Sequence, residues 1–230
     1  MNKSKLGPFF IMIAASLWAV DALFRTQLTH TIPTASIIFF EHLLGSIIML
    51  PVLIKNFRWV KTLSRDTWQT LGLMTIVSSV LGTILFTQAL ANSFALNDFV
   101  TPILVQKLQP VFVLLLSAVF LKERLTKRFV LLASVALIGS YLVSFGEAPI
   151  ELRFSEREIV YLLAMGAAFC WAAGTILSKK ILNSIEFPLA TALRFILAVP
   201  ISLIFVFALR DTYNFTQMPT EFLIRFLFIA

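Results

Sequence analysis

Apolar residues in this chain fall into long blocks divided by short polar stretches. A helix needs about 20 mostly apolar residues to cross a bilayer. That length predicts spans over 7–28, 34–54, 67–91, 98–120, 128–145, 158–178 and 187–209, with an eighth opening near Glu221. The first block follows a basic start, "MNKSKLGPFF", in the manner of a signal peptide. Its apolar run continues without a small-residue cleavage site, so an uncleaved first helix is expected. The longest polar stretch, Gly146 to Glu158, separates five helices from the remainder and predicts two units, 1–145 and 158–230, joined by a linker at 146–157.

Composition strengthens this reading. Of 230 residues, 59% are hydrophobic and 13% charged, where soluble chains carry about 25% charged residues. The expected fold class is an all-α integral membrane bundle. A net charge of +7 would point to nucleic acid in a soluble protein. Here the basic residues sit at the ends of apolar blocks, where cytoplasmic retention places them, so no nucleic-acid partner is expected. Alternate loops differ sharply. The N-terminal tail and the second, fourth and sixth loops hold twelve Lys and Arg, among them Lys55, Arg58, Arg124 and Lys180; the other loops hold only Arg153, Arg157 and Arg210. This predicts a multi-pass protein of a bacterial-type cytoplasmic membrane with its N-terminus in the cytoplasm. Cys170 is the one cysteine and lies in an apolar block, so it reads as a small core residue.

An internal repeat adds symmetry. "AASLWA" at Ala14 to Ala19 matches "AAFCWA" at Ala167 to Ala172, an offset of 153 that also pairs Ile32 with Ile185 and Leu44 with Leu197. Five helices between the copies, an odd number, would bring the second copy in from the opposite face. Inverted repeats of this kind typify secondary transporters, whose sites lie near the midplane between the halves.

With "LWAVDALFR", the "EH" of the second helix, "KLQPVFVLLLSAVFLKERLTKR" and "AAFCWA", the chain resembles the EamA-type drug/metabolite transporter family along essentially its whole length. The resemblance implies a ten-helix, five-plus-five inverted-repeat carrier of small metabolites, often an exporter. Relative to that pattern the chain has seven complete helices, so an incomplete second repeat and a truncated sequence are expected. Where the family commonly has Arg plus an apolar residue in the middle of helix two, the second half keeps Arg194 and Phe195. The first half has Glu41 and His42 instead.

Six ionisable residues fall inside predicted spans: Asp21, Arg25, Glu41, His42, Lys107 and Arg194. Asp, Lys or Arg costs about 2.5–3.5 kcal/mol at a helix centre on insertion scales, and all six should face a partner or a wet cavity. Trp18, Asp21 and Arg25 share one helical face, and Asp21 precedes Arg25 by the four residues that favour a pair. That pair either satisfies itself or lines a site. Lys107 sits between Gln106 and Gln109, with Pro110 freeing a backbone carbonyl one turn earlier, an arrangement that fits a polar cavity or a strut to Glu41 or Asp21. Glu41 and Arg194 occupy corresponding repeat positions and could pair or flank one substrate; otherwise Glu41 finds Lys107. Ser79, Thr83 and Thr87 recur on one face and read first as packing residues.

The expected function is alternating-access transport of a small polar or amphipathic metabolite, with export the expected direction. The expected lining is Trp18, Asp21, Glu41, His42, Gln88, Lys107, Trp171 and Arg194. Glu41 and His42 are the proton carriers if transport is proton-coupled. No cofactor, metal or catalytic residue is expected; the partners are a small-molecule substrate and the lipid bilayer, with a homodimer left open. Two rivals stand: an intramembrane enzyme using Glu41 and His42 as acid and base, and a non-transporting scaffold or fragment.

Overall fold

The structure is a computed structural model and describes residues 3–98, 100–122, 126–145 and 157–230. It is an all-α bundle, and every apolar block becomes helix. These are α1 (Lys3–Leu28), α2 (Thr34–Lys55), the short α3 (Phe57–Val60), α4 (Arg65–Met74) running through a π-helical segment (Thr75–Gly82) into α5 (Thr83–Ala95), α6 (Thr101–Gln106), α7 (Gln109–Phe120), α8 (Lys127–Phe145), α9 (Arg157–Ile181), α10 (Phe187–Ala208) and α11 (Thr220–Ile229). Among the described residues, five helical stretches, Thr34–Lys55, Arg65–Ala95, Thr101–Phe120, Glu158–Ile181 and Phe187–Ala208, are long and apolar enough to cross a membrane. The expected linker lies outside the described residues except for Arg157, which opens α9; Arg124 and Arg153 lie outside them too.

Local chemistry sets several boundaries. Proline presets the helical φ and needs no N–H partner in a first turn. Pro102 and Pro188 accordingly sit in the first turns of α6 and α10, while Pro33 and Pro219 immediately precede α2 and α11. Ser64 caps α4 by accepting from the Thr67 N–H at 3.2 Å. Asp98 does the same for α6, accepting from the backbone N–H groups of Val100 and Thr101 at 3.2 and 3.0 Å. The N-terminus of α2 is held from a distance: Ala35 N–H donates to the Asp211 carboxylate at 3.0 Å, and the Ser36 hydroxyl donates to the Asp211 carbonyl. A carboxylate at a helix N-terminus meets both the unpaired N–H groups and the positive end of the helix dipole.

Pro110 divides one span in two. A proline ring in a continuous helix would clash with the carbonyl four residues back, at Gln106. The chain tightens instead, with Lys107 N–H bonding to Leu104 O and Leu108 N–H to Val105 O, after which α7 starts at Gln109.

The centre of the bundle is the seam between α2 and α10, the most extensive helix pair. Gly45 makes that approach possible, because a Cβ there would overlap the Phe195 ring. Around the seam, α9 packs on α4, the π-helical segment, α5, α6 and α7, while α1 packs on α11 and α5. Two apolar clusters flank it. One gathers Leu71, Met74, Ile181, Ile185 and Leu193; the other gathers Leu28, Ile32, Ile37, Phe222 and Phe226. Large apolar side chains also cover the outside, as with Leu115, Val119 and Phe120 on α7 or Leu131, Val135 and Ile138 on α8. In water this surface would be an aggregation hazard; in a bilayer it is the lipid-facing side of a multi-pass membrane protein.

Candidate functional site

Arg25 is the hub of the polar interior. Only 3% exposed, it donates from Nε and Nη2 to both Asp21 oxygens at 3.1 and 2.8 Å. Its Nη1 donates to Glu41 Oε2 at 2.7 Å and to the Thr87 hydroxyl at 3.4 Å. The i, i+4 spacing on α1 makes the Asp21 fork local, and the short turn to α2 brings in Glu41. A planar guanidinium suits this arrangement because its fixed donor fork can serve two carboxylates at once. Glu41 therefore pairs with Arg25, not with either partner expected from the sequence, Arg194 or Lys107.

This cluster faces a cavity of about 750 Å³. Trp18, Asp21, Glu41, Trp171 and Arg194, five of the eight residues singled out in the sequence, are on its wall. The Trp18 and Trp171 rings meet edge to face with centroids 5.4 Å apart, and Phe86 backs Trp171 at 5.1 Å. Arg194 has no hydrogen bond or ion pair among the described residues; its guanidinium lies 5.9 Å from the ring of its neighbour Phe195.

The remaining three lie off this wall. His42 follows Glu41 by one residue and so points about 100° around the helix; its Nδ1 is 2.8 Å from the Ile38 carbonyl and its ring lies 5.6 Å from that of Phe195. Gln88 accepts from the Thr34 hydroxyl and donates to Asn92, both at 2.9 Å. Lys107 is exposed, with its ammonium 5.9 Å from the Trp18 ring centroid, while its neighbours Gln106 and Gln109 bond each other at 3.0 Å.

Arg25, expected from the sequence as the partner of Asp21, is on the wall as well, and so are three residues not singled out in the sequence: Ser78, Gly174 and Ser178. A Cβ on Gly174 would overlap Ser78, so glycine is what lets α9 close on the π-helical segment. Gly82 plays a similar part under the Trp171 indole, where a Cβ would come within 3.0 Å of the ring. Long π-helical turns are rare and occur mostly at functional sites. The missed residues carried a readable signal. Gly174 and Ser178 stand 153 residues after Asp21 and Arg25, so four offset-related pairs, with Trp18/Trp171 and Glu41/Arg194, line one cavity.

Comparison with known proteins agrees with this architecture. The model of the EamA-like transporter family matches residues 5–145 and 158–230. The riboflavin transporter ImpX of Fusobacterium nucleatum subsp. nucleatum is 28% identical over 210 residues, covering 90% of this chain and 69% of that protein. No solved structure matches.

Proposed function

Because the chain belongs to the EamA-like transporter family, we propose that it moves a small polar or amphipathic metabolite across the cytoplasmic membrane, outward, through the cavity lined by Trp18, Asp21, Glu41, Trp171 and Arg194. Access alternates between the two faces as the 1–145 unit rocks against the 158–230 unit. The observation that carries this reading is the composition of the wall, in which four pairs of positions 153 residues apart line one space.

Further contacts support an inverted two-fold relation between the units. In a two-fold arrangement a residue near the axis touches its own counterpart. Trp18 touches Trp171, and His42 touches Phe195, each pair 153 residues apart. The flanking clusters correspond as well: Leu28, Ile32, Phe40 and Leu44 in one map onto Ile181, Ile185, Leu193 and Leu197 in the other. The basic-loop asymmetry places the N-terminus in the cytoplasm. Protons are the coupling ion in this reading, with Glu41 and its neighbour His42 as carriers.

Acid–base catalysis by Glu41 and His42 fits the geometry less well. A catalytic acid and base must reach one substrate together, whereas Glu41 is on the cavity wall and His42 turns away to the Ile38 carbonyl and the Phe195 ring. Riboflavin, the compound in the Fusobacterium protein's name, is the first substrate to test. Purified protein in proteoliposomes should carry labelled riboflavin, or another metabolite from a small polar panel, with saturation and with loss of flux in an Arg194→Gln variant. Liposomes that remain impermeable to the whole panel under both a substrate and a proton gradient refute transport.

A further inference from the structure

What a ligand meets in this cavity follows from counting unused donors and acceptors. A guanidinium has five N–H donors, and Arg25 spends four on Asp21, Glu41 and Thr87. Both oxygens of Asp21 and Oε2 of Glu41 accept from it. Glu41 Oε1 and the whole Arg194 guanidinium remain without partners among the described residues, although both side chains are on the cavity wall. Neither is sealed off: the fully enclosed unpaired side-chain atoms among the described residues are Ser79 Oγ, Ser93 Oγ and Glu158 Oε1. Glu41 and Arg194 are also near one another along the seam, since the residues that follow them, His42 and Phe195, are in ring contact.

Charge then selects among ligands. The charged side chains on the wall are two carboxylates and two guanidiniums, a balanced set. An anion or a cation would unbalance it, and leaving bulk water for these walls without a compensating charge is costly. A zwitterion keeps the balance but must shed the hydration of two full charges, whereas a neutral amide-type edge sheds far less. The aromatic pair completes the specification, because Trp18, 39% exposed, and Trp171 offer ring surface beside the polar groups. Apolar walls with a few convergent polar groups are the usual form of small-molecule sites.

Resting on the transport reading above, we infer that the cavity recognises an uncharged flat heterocycle by an adjacent N–H and C=O on its edge. The N–H donates to Glu41 Oε1, the carbonyl accepts from Arg194, and the ring lies against Trp18 and Trp171. Oxo-heterocycles with a lactam or imide edge, such as pyrimidinediones, oxopurines and flavin ring systems, form this class.

Lumiflavin, a neutral ring with such an edge, and its N3-methyl derivative, which lacks only the edge N–H, are the probes. Binding is measured by fluorescence titration on the purified protein in lipid nanodiscs. Methylation at N3 should weaken binding at least tenfold, while an extra methyl on the opposite, benzenoid edge changes it by less than threefold. Arg194→Gln should cost lumiflavin at least tenfold without lowering the melting temperature, since Arg194 has no partner to lose; the ligand series on the unaltered protein stands even if that variant is poorly folded. Equal affinity for the two flavins, no binding of lumiflavin, or preference for L-tryptophan, a zwitterion with a comparable ring, overturns the inference. The transport reading fails separately. Flux of a compound lacking the edge leaves transport standing and removes this recognition, whereas N3-dependent binding without flux of any metabolite does the reverse.

Discussion

On one wall of the cavity α1 and α2 present Asp21, Arg25 and Glu41; on the other, 153 residues later, α9 and α10 present Gly174, Ser178 and Arg194. The first set is a closed ion cluster in which each charge has a partner at 3.1 Å or less. In the second, two positions have shrunk to a glycine and a serine, and the third holds a cation with no partner among the described residues. Corresponding places have thus divided the work. One wall is built for rigidity, since a buried network of charge-assisted bonds holds its side chains in place, with only Glu41 Oε1 left over. The other closes on the π-helical segment, and it leaves Arg194 with no ion pair among the described residues.

Four substitutions test this division, ranked by their expected effect on stability. Arg25→Met should be the most damaging: it strands two carboxylates, and breaking a buried pair costs about 3–5 kcal/mol. A fall in the midpoint of thermal unfolding in detergent measures it. Adding Asp21→Asn and Glu41→Gln to that variant should recover much of the loss, because no buried charge is then left alone. If the triple variant is as weak as the single one, packing and not charge holds the first wall together.

Gly174→Ala comes next, at about 1–3 kcal/mol, the usual cost of overfilling a packed contact. Ser78→Gly in the same chain should relieve it, and the coupling energy of that double-mutant cycle is the measurement. Independent effects would mean that close approach of α9 is not what the glycine serves.

Lys180→Ala removes a surface pair, Lys180 to Asp66 at 2.8 Å, with both side chains more than half exposed. Exposed pairs are worth about 0.2–1 kcal/mol, so the melting point should barely move and should move less in high salt. Arg194→Gln should have the smallest effect, leaving the melting temperature nearly unchanged, because it deletes a charge that has no hydrogen bond or ion pair among the described residues. The same variant should abolish transport, which separates a ligand-binding cation from the structural one at Arg25.

Much of the fold was legible because membrane helices announce themselves by length and hydropathy; each predicted span corresponds to helix in the structure. The Asp21–Arg25 pair was legible too, since i, i+4 geometry is local. Long-range pairing was not. Glu41 was assigned to Arg194 or Lys107, yet bonds Arg25, because single-residue spacing says nothing of which helix lies beside α2. The π-helical turn at Thr75–Gly82 left no periodic signature, because its residues continue the apolar pattern of the helices on either side. Gln88 and His42 were drawn toward the cavity by polarity alone, whereas local partners, Thr34 and Asn92 for one and the Ile38 carbonyl for the other, hold them elsewhere.

The grouping of Asp21, Arg25 and Glu41 on the α1–α2 hairpin also bears on how the protein is made. A charge handed to the bilayer alone costs about 2.5–3.5 kcal/mol at a helix centre. These three lie within one hairpin whose helices are joined by five residues, so they can neutralise one another while the rest of the chain is still being synthesised. Arg194 reaches the membrane more than 150 residues later, when the nearest carboxylates are already engaged. The order in which the ribosome delivers these groups thus matches their surroundings: the early arginine is part of the scaffold, and the late one has no ion pair among the described residues.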